Sequence, residues 1–144
     1  MRRFVIALAV PALALTAAAC GEESIDPPAA AAGPAIAGGG LVDVSTAAAI
    51  LADAPDDLVV LDVRTPEEFA EGHVAGATLI DIYEADFADR IAELDPDVPY
   101  VVICRSGNRS SQAVALMRDL GFSDVTDVDG GILAWNAAGL PLAG

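Results

Sequence analysis

The residues best suited to chemistry lie in one short stretch, Cys104-Arg105-Ser106-Gly107-Asn108-Arg109-Ser110. A hydrophobic run, Tyr100 to Ile103, precedes it, and a helical pattern follows. A strand-loop-helix turn of this kind aims successive backbone N–H groups at one point, and the helix start adds partial positive charge. Arg105 and Arg109 strengthen that field, and Gly107 and Asn108 tolerate the positive φ that a tight cradle requires. A cysteine at the head of such a loop is expected to be held as the thiolate, the nucleophilic form of sulfur. The cradle also suits a dianion or the extra sulfur of a persulfide. A lone cysteine ending a strand more often serves as a small apolar core residue. The polar loop and its two arginines favour the chemical reading here.

The elements that must position this loop can be read from pattern. Leu41–Val44 is a short strand candidate, and Ser45 can cap a helix running through about Asp53. Leu58–Asp62 is apolar and β-branched, as in a strand buried on both faces. Thr65, Pro66 and Glu68 combine an N-cap, a first-turn proline and a capping-box carboxylate for a short helix ending near Glu71–Gly72. Ala77–Ile82 is a further strand candidate. Ala85–Leu94 carries Phe87, Ile91 and Leu94 at helical spacing, and Asp95–Pro99 breaks the chain. Tyr100–Cys104 is the strongest strand and Ser110–Leu120 the strongest helix, stopped by Gly121. Val125–Val128 is another strand, and Ile132–Ala138 a last helix before Gly139 and Pro141. Strands alternating with helices predict an α/β fold, a mostly parallel sheet with helices on both faces. Ligands in such sheets bind beyond the carboxyl ends of the strands, where Cys104 falls.

Composition narrows the function. The chain has 144 residues and a formal charge of −15, with 22 acidic residues and only 7 basic ones. All the basic residues are arginines. That balance argues against nucleic acid, whose binding relies on cations that neutralise phosphate, and against a polybasic grip on anionic lipid. With a single histidine and one cysteine in the domain, a structural zinc site lacks ligands, and no cofactor is implied.

The N-terminus reads as an address. Arg2 and Arg3 precede an uncharged, largely apolar run from Phe4 to Ala19, shorter than a membrane span and matched to a secretory signal. Its end, Leu15 to Gly21, resembles the bacterial lipobox, whose cysteine becomes the lipidated first residue of the mature protein. Ala17 departs from that pattern, which most often has leucine there. The resemblance implies a signal peptide over residues 1–19, lipidation at Cys20, and an extracytoplasmic, membrane-anchored protein. Residues 20–40, rich in Ala, Gly and Pro, read as a flexible tether, leaving residues 41–144 as the domain. The alternative is an ordinary signal cleaved near Ala19.

Three ordered motifs in that domain resemble the rhodanese-like family of sulfurtransferases. The first is Leu61-Asp62-Val63-Arg64 followed by Glu68-Phe69 and Gly72-His73-Val74-Ala75-Gly76-Ala77. The second is the cysteine loop, and the third is Asp129-Gly130-Gly131-Ile132 with Trp135. Ala75 departs mildly from the family, which often has proline there. The resemblance implies that Cys104 attacks the outer sulfur of a small anionic donor such as thiosulfate, carries it as a persulfide, and passes it to cyanide or a thiol. Carried over residue by residue, Arg105, Ser106, Gly107, Asn108 and Arg109 form the substrate cradle. Asp62 is expected to order the loop from below, and Arg64 to pair with Glu68 or Glu71. His73 is expected to support structure, Trp135 to fill core, and the domain to work as a monomer. Two rivals remain open: a sulfane-sulfur carrier or binding module with little turnover, and a phosphatase or arsenate reductase. Tyrosine-phosphatase-like loops place their arginine one residue later than the Cys104-to-Arg109 spacing here.

Overall fold

The computed structural model describes residues 39–144. The expectations for the signal peptide, for Cys20 and for most of the tether fall outside the described residues. Among the described residues, no helix is long and apolar enough to cross a membrane.

Five strands and five helices alternate: β1 Leu41–Val42, α1 Val44–Ala52, β2 Val59–Asp62, α2 Pro66–Ala70, β3 Thr78–Leu79, α3 Phe87–Ala92, β4 Tyr100–Ile103, α4 Asn108–Asp119, β5 Val125–Val128 and α5 Gly131–Ala137. The strands form one sheet in the order β1-β5-β4-β2-β3, and every pairing is parallel. The chain therefore folds as the α/β architecture expected from its alternating pattern. β4 is the central strand, and every residue in it is buried. Its side chains alternate between faces, as the two-residue period of a strand requires. Tyr100, Val102 and Cys104 join a cluster with Leu61, Ile91, Val114 and Met117. Val101 and Ile103 join the opposite cluster with Val44, Ala47, Ile132 and Trp135. Helices α3 and α4 thus cover one face, and α1 and α5 the other.

Several boundaries move for local reasons. Helix α1 starts one residue before Ser45 because the Asp43 side chain accepts from the Thr46 N–H at 2.8 Å and provides the cap. That cap shortens β1. The edge strand β3 pairs only with β2 and contracts to two residues. α4 starts at Asn108 rather than Ser110, because Gly107, at φ 96°, turns the chain straight into the helix. Asn108 is consequently helical, and all the positive-φ residues described are glycines. Helix α2 is capped as its sequence predicts: Thr65 accepts from the Glu68 N–H, and Glu68 accepts from the Thr65 N–H.

Candidate active site

Cys104 directly follows β4, at the carboxyl edge of the sheet. The Gly107 N–H donates to its sulfur at 3.1 Å, so the loop closes back on the thiol. The first turn of α4 leaves the N–H groups of Asn108, Arg109 and Ser110 without intrahelical acceptors. The last three residues of the loop are therefore helix N-terminus, with the partial positive charge that such an end carries. The cysteine itself is wholly buried.

Other elements fasten the loop from behind. The Ile132 N–H donates to the Cys104 carbonyl at 2.9 Å, and the Leu133 N–H to the Arg105 carbonyl at 3.1 Å. The start of α5 thus grips the loop backbone. Only glycine allows this approach at position 131: its φ is +55°, and a Cβ there would lie 2.3 Å from the Cys104 carbonyl oxygen. Ser110 and Ser111 hydroxyls both donate to the Gly107 carbonyl, at 3.0 and 2.9 Å. Ser111 also contacts the Asp127 carboxylate at 2.6 Å. The other oxygen of that buried aspartate is the one buried side-chain polar atom without a partner among the described residues. Sequence reasoning missed Gly131, Ser111 and Asp127 as supports. The paired glycines at 130 and 131, on a strand-to-helix turn, were the available signal for the first.

Asp62 and Arg64 take different partners from those expected. The chain bends directly after β2, so that the Arg64 N–H donates to the Asp62 carboxylate at 3.0 Å and the Arg64 fork closes on it too, Nε at 2.9 Å and Nη2 at 2.7 Å. Asp62 therefore spends its hydrogen bonds on Arg64 and does not order the loop from below. Arg64 in turn donates to the carbonyls of Glu68 and Gly72, at 2.9 and 2.8 Å, and ties down the end of α2. Its ionic partner is Asp62, not Glu68 or Glu71.

Glu68 belongs instead to Arg109. The two terminal nitrogens of Arg109 donate to the two carboxylate oxygens of Glu68, each at 2.7 Å. The Arg109 hydrogen bonds hold the Glu68 carboxyl down at about 2, well below its ordinary 4.5. The Arg109 guanidinium is pushed above its usual range, first by Glu68, with Tyr83 and Cys104 adding to that effect. Arg109 also lies over the Tyr83 ring, 5.6 Å from its centroid. Arg105 is exposed, and among the described residues it takes part in no ion pair. It lines a cleft of about 450 Å³ together with Glu68, Glu71, Ile132, Leu133 and Asn136. Ser106 is exposed in the same loop.

His73 packs against the end of α2 and the C-terminal segment. Its ring stacks on Phe69 at 3.7 Å, its Nδ1 lies 3.1 Å from the Phe69 carbonyl, and its backbone pairs with Ala143. Trp135 is buried, and its indole N–H donates to the Pro141 carbonyl at 3.0 Å.

A parallel α/β sheet with a cysteine loop at the carboxyl end of its central strand defines a class in which the loop backbone presents N–H groups to sulfur. The chain belongs to the rhodanese-like domain family, whose description it matches over residues 43–138. It is similar to the thiosulfate sulfurtransferase GlpE of Pseudomonas putida, 46% identical over 79 residues that span 55% of this chain and 70% of that protein. A sulfurtransferase of Allochromatium vinosum is 36% identical over 101 residues, covering 70% of this chain and 92% of that one. Among solved structures, a rhodanese-related protein from Thermoplasma volcanium superposes with a TM-score of 0.62 at 32% identity, over 71% of this chain and 95% of its own.

Proposed function

We propose that the protein is a sulfurtransferase working through a Cys104 persulfide. The observation that carries this reading is the Gly107 N–H donated to the Cys104 sulfur, at the mouth of a helix N-terminus, in a chain whose relatives are sulfurtransferases. Negative charge on sulfur is what such a cradle stabilises. In the first half-reaction the Cys104 thiolate attacks the outer sulfur of a donor such as thiosulfate. The S–S bond of the donor breaks, and sulfite leaves with the electron pair. The persulfide that remains keeps its negative charge on the terminal sulfur, close to the loop N–H groups. In the second half-reaction cyanide or a thiolate attacks that terminal sulfur, and the Cys104 thiolate is released unchanged in oxidation state.

We further propose that the domain is held at the outer face of a bacterial membrane by lipid on Cys20, through the tether of residues 20–40. The support is the sequence around that cysteine.

One observation favours a second reading, a sulfane-sulfur carrier with slow turnover: Cys104 is fully buried, so access to its sulfur is restricted. A phosphatase or arsenate reductase is less well supported, because the short loop leaves little room for three equatorial oxygens each finding a donor.

Incubation with thiosulfate followed by intact-protein mass spectrometry tests the proposal. A gain of one sulfur atom on Cys104, lost again on adding cyanide with multiple turnovers, is the expected result. Loading without turnover would favour the carrier. The absence of any adduct, or activity surviving in Cys104→Ser, would overturn the persulfide mechanism.

A further inference from the structure

The loop has two arginines, and the fold treats them differently. Arg109 is bound fork to fork by Glu68, with side chains only 15% and 25% exposed. Two short charge-assisted bonds in a partly dry setting are the strong form of this interaction, and both formal charges are spent inside it. Arg105 has no such partner among the described residues and is open to solvent. Glu68 and Glu71 line the same cleft as Arg105, and the chain as a whole carries −15. Glu68 also sits on α2, in a different segment from the loop, and is held there by its capping-box bond to the Thr65 N–H.

We propose that Glu68 is a specificity-determining residue, which by engaging both terminal nitrogens of Arg109 withdraws one loop arginine from anion recognition and leaves Arg105, next to Cys104 in sequence, as the loop arginine without an ion-pair partner among the described residues. The site is thereby set for sulfur donors and acceptors of low charge, such as organic persulfides and thiols, over a dianion such as thiosulfate. This assignment deepens the sulfurtransferase reading and rests on it for the identity of the substrates. Its electrostatic content can be read without any turnover.

The opposite arrangement makes the opposite prediction. If Glu68 braced Arg109 as the anion-binding group, its removal would weaken anion recognition. If Glu68 withdraws Arg109, its removal strengthens it.

The test compares alkylation of Cys104 by iodoacetate, an anion, and iodoacetamide, its neutral analogue, in wild type and Glu68→Gln. The glutamine keeps an oxygen for the Thr65 N–H, and Glu68→Ala serves as the second variant should it fail to fold. The iodoacetate-to-iodoacetamide rate ratio is expected to rise about fivefold, the worth of one unit charge at contact range in water. It should return to the wild-type value in Glu68→Gln/Arg109→Gln. For thiosulfate, the single variant should lower KM while kcat changes little. A ratio that stays constant or falls in the single variant, or a gain that survives in the double variant, overturns the proposal. Failure of both reagents to label the native protein also overturns it, because the sulfur would then have no approach for Glu68 to select. The expected ratios without any persulfide formation would instead remove the sulfurtransferase reading and leave the charge assignment standing.

Discussion

At the scale of single residues, Cys104 depends on neighbours with no chemistry of their own. Gly131 shows how. The α5 N–H groups that hold the Cys104 and Arg105 carbonyls can reach them only because position 131 lacks a Cβ. Gly131→Ala would put a methyl group against the Cys104 carbonyl and force a non-glycine residue to a φ of +55°. Left-handed backbone costs an ordinary residue about 1–3 kcal/mol before any clash is counted. Urea denaturation should show at least that loss, and sulfur transfer should fall more steeply than stability, because the displaced atoms belong to the loop. A variant with wild-type stability and turnover would mean that α5 does not hold the loop in solution.

At the scale of elements, the link between β2 and α2 rests on a buried ion pair. Asp62 and Arg64 are almost completely shielded from water, and Arg64 carries the bond onward to the Glu68 and Gly72 carbonyls. Removing one partner of such a pair leaves a charge without a counter-ion in a poorly solvated place, which costs about 3–5 kcal/mol. Asp62→Ala should therefore lose about that much by denaturant titration. A loss below about 1 kcal/mol, the range of an exposed pair, would show that water reaches Arg64 freely. The consequence extends to function, since α2 carries Glu68 and sets where the Arg109 guanidinium rests.

At the scale of the whole molecule, acid behaviour follows from charge, and the proposed lipid anchor has its own test. Glu68 has its folded pKa depressed from 4.5 to about 2 by Arg109. The unfolded chain binds this proton first as pH falls, so the contribution is complete above about 4.5 and disappears as pH drops towards about 2. Thermal midpoints of wild type should decline through that window more steeply than those of Glu68→Gln, which should already be less stable at neutral pH. Parallel curves would show that the pair contributes nothing in solution. For the anchor, Cys20→Ala should move the protein from the membrane fraction to the soluble one, or block its processing, while the domain's sulfur transfer is unchanged. Retention of the variant in the membrane fraction would remove the lipid assignment.

The order of strands and helices, their parallel pairing and the placement of Cys104 at a strand's carboxyl end were all legible in the chain itself. Each rests on local information: β-branched runs, helical spacing, the Thr65–Glu68 capping box, and the stop signals at Gly121 and Gly139. Even the missed start of α4 at Asn108 turned on a single glycine. What the tertiary structure alone decided is which charge meets which. Glu68 and Arg109 lie 41 positions apart in sequence and meet because β2 and β4 are neighbours in the sheet. Asp62 meets Arg64 rather than the loop because the bend after β2 folds the Arg64 backbone and fork onto its carboxylate. Local pattern specifies backbone conformation, whereas a carboxylate accepts from any guanidinium brought within reach. For Glu68, only the packing of distant segments determines which guanidinium that is.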